Sequence, residues 1–132
     1  MVAEYSLDFF QRCEVGRHKQ VLPMTVSVVY VTVGDQKEAE NIASVIVTDR
    51  LASSVNIVDS IRSYYWWSSQ VQRRQEVLLI AKTQTKLVEL VIGRIRAIHS
   101  YECPCILAWP IEKANLDYLE WVTRETNGAT AD

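Results

Sequence analysis

The sequence lacks a continuous apolar run of about 18 residues, the shortest length expected of a membrane-spanning helix. Its N-terminus also lacks the basic start and long apolar centre of a secretory signal peptide. The three cysteines are an odd number, and Cys103 and Cys105 lie too close along the chain for an ordinary disulfide. We therefore expect a protein of a reducing compartment, by default the cytoplasm, with no membrane insertion.

There is little net charge, because 14 Lys and Arg residues oppose 16 Asp and Glu residues and leave a formal charge of −2. Basic residues do cluster at Arg73 and Arg74 and at Arg94 and Arg96, but such pairs usually belong to a solvated surface. A chain without an overall positive field is not expected to attract nucleic acid.

Motifs that carry catalysis are also missing. The sequence contains no Gly-rich phosphate loop, no Gly-x-Ser-x-Gly, no His-Glu-x-x-His and no Cys-x-x-Cys, and it has only two histidines. We expect a protein that is not an enzyme.

What is present is the composition of one globular unit, with 48% hydrophobic and 23% charged residues in 132 positions. Residues 1–23 show no sustained periodicity and are interpreted as an N-terminal extension. We expect the folded domain over residues 24–127 and a polar tail over residues 128–132.

The longest stretch of strand-forming residues covers residues 53–83. It predicts two strands joined by a turn at Ser68, Ser69 and Gln70, and no Gly or Pro interrupts either arm. Each arm has about a dozen residues, or roughly 40 Å, whereas strands in small domains usually have about five or six residues. This hairpin is too long for one small core to cover.

Four consecutive aromatic residues occupy the far part of this hairpin: Tyr64, Tyr65, Trp66 and Trp67. Because side chains alternate along a strand, two of them must face each side. They could stack on a planar ligand, but burial against another chain explains their size better. We expect an oligomer with Tyr65, Trp66 and Trp67 at the contact.

The segment before the hairpin predicts a strand followed by a helix. Residues 25–33, TVSVVYVTV, are largely β-branched, which is typical of a covered strand. Asp35 and Glu38 then have the spacing of a helix start, and apolar residues recur from Ala39 to Leu51 at intervals of three and four.

The segment after the hairpin predicts a second helix over residues 87–98. Thr83 or Thr85 could cap its start, and it should end near His99.

Residues 105–109 then predict a short strand that Pro110 stops, and a last helix should begin near Asp117 and end before Gly128. The order is β-α-β-β-α-β with a C-terminal helix. It predicts an α+β, ferredoxin-like fold, with two helices on one face of a four-stranded sheet and a long hairpin between the second and third strands.

Three sequence segments strengthen this interpretation: SYYWWSSQVQRRQEVLLIAKT (63–83), IHSYECPCILAWPI (98–111) and DYLEWV (117–122). In order and spacing they resemble four features of the CutA family of divalent-cation tolerance proteins: its Tyr-Trp turn, its long second hairpin arm ending in Lys-Thr, its His-Pro-Tyr segment and its Tyr-Leu-x-Trp helix. The resemblance covers about residues 26–126.

The resemblance implies a ferredoxin-like subunit in a compact homotrimer, with the long hairpins of neighbouring subunits paired edge to edge. The family is associated with tolerance to copper and other divalent cations. Its animal members are associated with anchoring or processing of acetylcholinesterase, and no enzyme mechanism is implied.

The sequence departs from the family pattern at four positions. Ser69 replaces the Gly after the Trp-Trp turn, Ser100 replaces the Pro of His-Pro-Tyr, Cys105 replaces a common acidic residue, and Ser54 stands where members often have a Cys. These changes leave the fold prediction intact, but they prevent direct transfer of a metal site.

His99, Cys103 and Cys105 form the one cluster of soft metal ligands in the sequence. Thiolate and imidazole suit Cu(I) or Zn(II), and neighbouring subunits could complete the set. The alternative is structural: Cys105 would open a buried strand as a small core residue, and His99 would end a helix.

The resemblance also suggests a cleft between subunits, where converging side chains could bind an anion or a cation. Its candidate residues are Glu76, Lys82, Tyr101 and Asp117. Solvent-facing charge or an interface salt bridge is the alternative for each.

Together these observations predict a trimeric protein of divalent metal tolerance, with copper or another divalent cation as its ligand and no tightly bound cofactor. One alternative is a trimeric scaffold that binds another protein through the extension 1–23 or its outer helices. A second is a small-molecule sensor similar to the trimeric PII proteins, which share this topology.

Overall fold

The computed structural model of the chain describes residues 25–129. Its elements follow the order that the sequence predicts. They are β1 (Val26–Val33), α1 (Gln36–Thr48), β2 (Ser54–Trp67), β3 (Gln70–Gln84), a 3-10 turn (Thr85–Leu87), α2 (Val88–Ile98), β4 (Ile106–Pro110) and α3 (Leu116–Glu125). The predicted extension 1–23 lies outside the described residues.

The four strands form one antiparallel sheet in the order β2-β3-β1-β4. This arrangement confirms the predicted α+β, ferredoxin-like fold. No helix within residues 25–129 has the length and apolar content that a membrane crossing needs.

The hydrophobic core lies between one face of the sheet and the helices α1 and α2. Alternate residues of β1 and β3 point into it and meet the apolar stripes of both helices. Each Val, Leu or Ile buried in this way contributes roughly 1.5–3 kcal/mol. The fully buried members include Val29, Val31, Leu79, Ile42, Ile46, Val91 and Ile95.

The helix ends show where local sequence signals hold and where they fail. Asp35 caps α1, since its Oδ1 accepts a 2.8 Å hydrogen bond from the Glu38 backbone N–H. The prediction that Thr83 or Thr85 caps the next helix is wrong. Thr83 still belongs to β3 and donates to the Leu51 carbonyl (2.6 Å), while the Thr85 hydroxyl pairs with Ser27. A 3-10 turn without a side-chain cap leads into α2 instead.

The last two elements shift slightly from their expected bounds. β4 begins at Ile106 and includes Pro110. α3 begins at Leu116, where Asn115 Oδ1 accepts from the Asp117 backbone N–H (3.2 Å).

The hairpin extends well beyond the rest of the sheet. β3 pairs with β1 only over Val77–Gln84, so residues 70–76 pair with β2 alone. At about 3.4 Å per residue, this two-stranded ribbon projects roughly 24 Å. Its loop consists of Ser68 and Ser69, both at positive φ (51° and 62°), which is the geometry of a two-residue type I′ turn.

A β-bulge marks the base of the ribbon. Val58 faces Leu78 and Ile61 faces Glu76, so Asp59 and Ser60 together oppose Val77 alone. Ser60 has φ 63°. The extra residue increases the local twist and changes which β2 side chains face each side of the sheet.

Candidate functional site

His99 is held in the interior by both of its ring nitrogens. Nε2 donates to the Thr32 carbonyl (2.8 Å), and Nδ1 accepts from the Tyr101 backbone N–H (3.0 Å). Its side chain is 0% exposed. An imidazole with these two bonds is the neutral, Nε2-protonated form and has no nitrogen left for a metal ion.

The neighbouring loop is tied to α1 through Glu38. Its two carboxylate oxygens accept from the Ser100 backbone N–H (2.7 Å) and the Ser100 hydroxyl (2.9 Å). These two hydrogen bonds fix the position of Ser100, which is the residue from which the loop with the two cysteines begins.

Cys103 and Cys105 are both exposed free thiols, separated by Pro104. The expectation that Cys105 opens a buried strand is therefore wrong for the subunit, because β4 begins one residue later. Partial burial of the sulfur still raises the pKa of the Cys105 thiol. A hydrogen bond with Thr32 offsets part of that rise, and the charges of Glu76 and Cys103 add to it. A metal ion would have to displace this proton on binding.

Within residues 25–129, no three His, Cys, Asp or Glu side chains are grouped so that they could hold a metal ion. The predicted set of His99, Cys103 and Cys105 is thus divided between a buried, fully bonded imidazole and two exposed thiols. Metal binding by these residues stays a prediction, and one subunit offers it two accessible soft ligands.

Two of the four predicted cleft residues, Glu76 and Tyr101, are in direct contact. The Tyr101 hydroxyl donates to Glu76 Oε2 (2.8 Å), and the guanidinium of Arg74 lies over the Tyr101 ring, 4.8 Å from its centroid. Burial, followed by the hydrogen bond to Glu76, raises the pKa of the Tyr101 phenol above its ordinary value. The phenol therefore stays protonated at neutral pH and acts as a donor to a carboxylate that is only 6% exposed.

The other two predicted cleft residues lie elsewhere in the subunit. Lys82 is six positions from Glu76 along β3, or about 20 Å away, and its ammonium donates to Asn56 Oδ1. Burial lowers the pKa of Lys82. Asp117 lies in the first turn of α3. The four residues do not converge within one subunit, and a cleft between subunits stays a prediction.

The aromatic residues alternate across the ribbon as predicted. Tyr65 and Trp67 are on one side, while Tyr64 and Trp66 are on the other. All four are exposed, and Trp66 reaches 73%. An isolated ribbon of this composition leaves large apolar area in water, which usually marks a contact surface.

A second apolar surface was not recognised from the sequence. It lies on the side of the sheet opposite α1 and α2. On this side α3 covers only the end of the sheet near Val26 and Gln84. The Gln84 side chain donates a hydrogen bond to Thr126 Oγ1 (2.9 Å) there. We call the uncovered part the open face. Its apolar residues are Val28, Tyr30, Val58, Leu78, Ile80, Leu107 and Trp109.

The open face is apolar at its rim, since Leu107 is 54% and Trp109 47% exposed. The sequence signal for it was the uniformly apolar run of β4, whose alternate residues must point away from the core. The open face and the ribbon are continuous along β2 and β3. Together they form a larger uncovered surface than either does alone.

The chain is similar to known proteins over most of the described residues. The sequence model of the CutA1 family, described as CutA1 divalent ion tolerance protein, matches residues 27–125. Protein CutA 1, chloroplastic, of Oryza sativa subsp. japonica is 42% identical over 99 residues, which make up 75% of this chain and 56% of that protein. Protein CutA of Homo sapiens is 37% identical over 109 residues, 83% of this chain and 61% of that protein. This chain thus spans about three fifths of the length of these two relatives.

A solved structure supports the same comparison. The crystal structure of CutA1 from Oryza sativa has a TM-score of 0.77 and 40% identity, and the match covers 80% of this chain and 97% of that one. The matched residues include all the segments on which the resemblance was based. The predicted family resemblance is therefore confirmed.

Proposed function

We propose, because the chain belongs to the CutA1 family of divalent ion tolerance proteins, that it is a homotrimer that binds copper or a related divalent cation and contributes to metal tolerance without catalysing a reaction. The family name supports a relation to divalent ions. The choice of copper and the ligands are our own inference from the residues of this chain.

The observation that carries this proposal is the pair of exposed, unpaired thiols on either side of Pro104. Thiolates are soft ligands and favour copper, above all as Cu(I), and zinc over harder ions. The charge of Cys103 adds to the rise in the pKa of Cys105, so the two thiols are close enough to approach one ion. His99 could join them only by giving up its bonds to Thr32 and Tyr101, so remaining ligands would come from a neighbouring subunit or water.

Titration calorimetry with copper and with zinc, on the full reduced chain, tests the metal proposal. We expect saturable binding by the wild type and a loss of at least about tenfold in affinity for the double variant Cys103→Ser/Cys105→Ser, because oxygen replaces both soft donors. Cys13→Ser is the matched control, since it removes one thiol and should leave the affinity unchanged.

Two results would count against this proposal in different ways. If the wild type shows no saturable binding of either metal, the metal role is lost. If the double variant binds as tightly as the wild type, the role stands and the assigned ligands are wrong.

The homotrimer is supported by the exposed apolar surface of the subunit. On the side of the open face, the ribbon and the sheet leave Trp67, Leu107 and Trp109 each about half exposed, which is costly for a monomer in water. Contact with two further copies of the chain would bury these residues. A reducing compartment such as the cytoplasm would keep the two thiols available for metal.

The two alternative functions stay predictions. A scaffold that recruits another protein through residues 1–23 would lose its partner when those residues are deleted, and capture with the full and shortened chains tests this. A PII-like sensor would bind a small molecule between subunits.

A further inference from the structure

An open, basic cavity lies at the base of the ribbon, and neither Cys103 nor Cys105 lines it. Its volume is about 580 Å³, within the usual range for small-molecule sites. Three arginines line it, namely Arg62, Arg73 and Arg74. In a chain with a formal charge of −2, this is a local concentration of positive charge.

The strand register explains why two of these arginines meet. Arg62 faces Gln75 and Tyr64 faces Arg73, so Arg62 and Arg73 are diagonal neighbours on the same side of the ribbon. Diagonal side chains of this length are within reach of each other. The β-bulge at Ser60 sets this register, and Gln75 Nε2 donates to Ser60 Oγ (2.5 Å) in the cavity wall.

Within residues 25–129, neither Arg62 nor Arg73 has an acidic group within 4 Å. The arginines that do pair with acids there are Arg50 and Arg124, which both meet Glu125, and Arg94, which meets Asp49. The residues directly across the ribbon are the neutral Gln75 and Tyr64. Arg62 and Arg73 are both exposed, so water and salt screen much of their mutual repulsion, and a bound anion would relieve the remainder.

Arg74 approaches the cavity from the other strand face and is held in place by Tyr101. Its guanidinium stacks on the Tyr101 ring at 4.8 Å, and the Tyr101 hydroxyl occupies one oxygen of Glu76. The Glu76 carboxylate is thus bonded to the phenol. Asp59 is next to Ser60 in the chain but does not line the cavity.

We propose that this cavity binds an anion carrying several phosphate groups. Guanidinium groups form planar, paired hydrogen bonds to phosphate oxygens, and three of them around one cavity match a chain of phosphates better than a single carboxylate. The exposed ring of Tyr64 forms part of the wall and offers a flat apolar surface beside the arginines. A nucleoside triphosphate and an inorganic polyphosphate share this chemistry.

Titration calorimetry with sodium tripolyphosphate and with ATP, on the full chain without added divalent metal, tests the site. We expect both to bind saturably and to weaken as salt increases. The double variant Arg62→Gln/Arg73→Gln should bind each at least about tenfold more weakly, because each lost charge-assisted hydrogen bond is worth about one decade in affinity. The matched control is Arg124→Gln, an exposed arginine on α3.

Further variants distinguish a nucleotide ligand from an inorganic polyphosphate and control for a folding defect. Arg73→Lys keeps the charge but loses the paired geometry, so an intermediate affinity is expected. If Tyr64→Leu weakens ATP but not tripolyphosphate, the ligand is a nucleotide; if it weakens neither, the site takes the phosphate chain alone. Circular dichroism and sedimentation confirm that each variant keeps its fold and assembly.

The proposal is overturned if neither probe binds saturably to the wild type. It is also overturned if a folded Arg62→Gln/Arg73→Gln variant binds as tightly as the wild type. Carboxylates of a neighbouring subunit that pair with these arginines would give the first result. The metal titration of Cys103 and Cys105 does not depend on either of these two results, so the two proposals can fail separately.

Discussion

The phenol of Tyr101 donates a 2.8 Å hydrogen bond to the carboxylate of Glu76, which is almost entirely buried in the subunit. The two residues come from separate elements, the loop after α2 and the middle of β3, so this bond fastens the loop to the sheet. Arg74 stacked on the same ring extends the contact toward the ribbon.

Replacement of Tyr101 by Phe should lower the free energy of unfolding by about 1–3 kcal/mol at neutral pH, because the Glu76 carboxylate loses its donor. The pKa of Tyr101 is raised in the folded state. Folding therefore favours the protonated phenol, and its contribution is full below pH about 10, where the unfolded phenol titrates, and is lost as pH rises further. Urea unfolding of both proteins from pH 7 to pH 11 measures this. A difference that grows above pH 10 would contradict the assignment.

We expect His99 to stabilise the fold and not to bind the metal ion. His99→Gln breaks at least one of the bonds to Thr32 and Tyr101 in a fully buried position, and we expect a loss of about 1–3 kcal/mol in the free energy of unfolding. Copper affinity should change less than in Cys103→Ser/Cys105→Ser. A folded His99→Gln variant that loses copper binding as completely as the double variant would instead place the imidazole among the ligands.

The tip of the hairpin is strained at two serines. Ser68 and Ser69 both have positive φ, a conformation that costs an L-residue roughly 1–2 kcal/mol. Ser69→Gly should therefore raise the free energy of unfolding by about 0.5–1 kcal/mol, once the entropy cost of glycine is subtracted. Ser63→Gly, within regular β2, is the control and should destabilise. Thermal unfolding compares them, and equal effects at both positions would contradict the turn geometry.

The order of elements and the long hairpin could be predicted because they depend on local patterns. Alternating and three-to-four periodicities identify strands and helices, and Asp35 carries its own capping signal. The bulge at Asp59 and Ser60 could not be predicted in this way. It depends on a positive φ at Ser60 and on pairing with residues near Val77.

The site residues were harder to predict because their roles depend on distant partners. His99 looks like a metal ligand in the sequence, but its bond to the Thr32 carbonyl joins residues 67 positions apart. Thr83 looks like a helix cap and instead reaches Leu51. The two arginines at positions 73 and 74 read as a solvated pair, and only the strand register places Arg73 beside Arg62.

The central claim is that the ribbon and the open face are completed by two further copies of the chain. Substituting Leu107 and Trp109 together by Glu places two charges where the contact would form, and this variant should be monomeric. Leu90→Glu, an exposed residue on α2 outside both surfaces, is the control and should not change the assembly.

Sedimentation velocity of the wild type at micromolar concentration measures this claim most directly. We predict a single species at three times the subunit mass of 15.1 kDa, with the Leu107→Glu/Trp109→Glu variant at one subunit mass. A stable, folded wild-type monomer at this concentration would contradict the account.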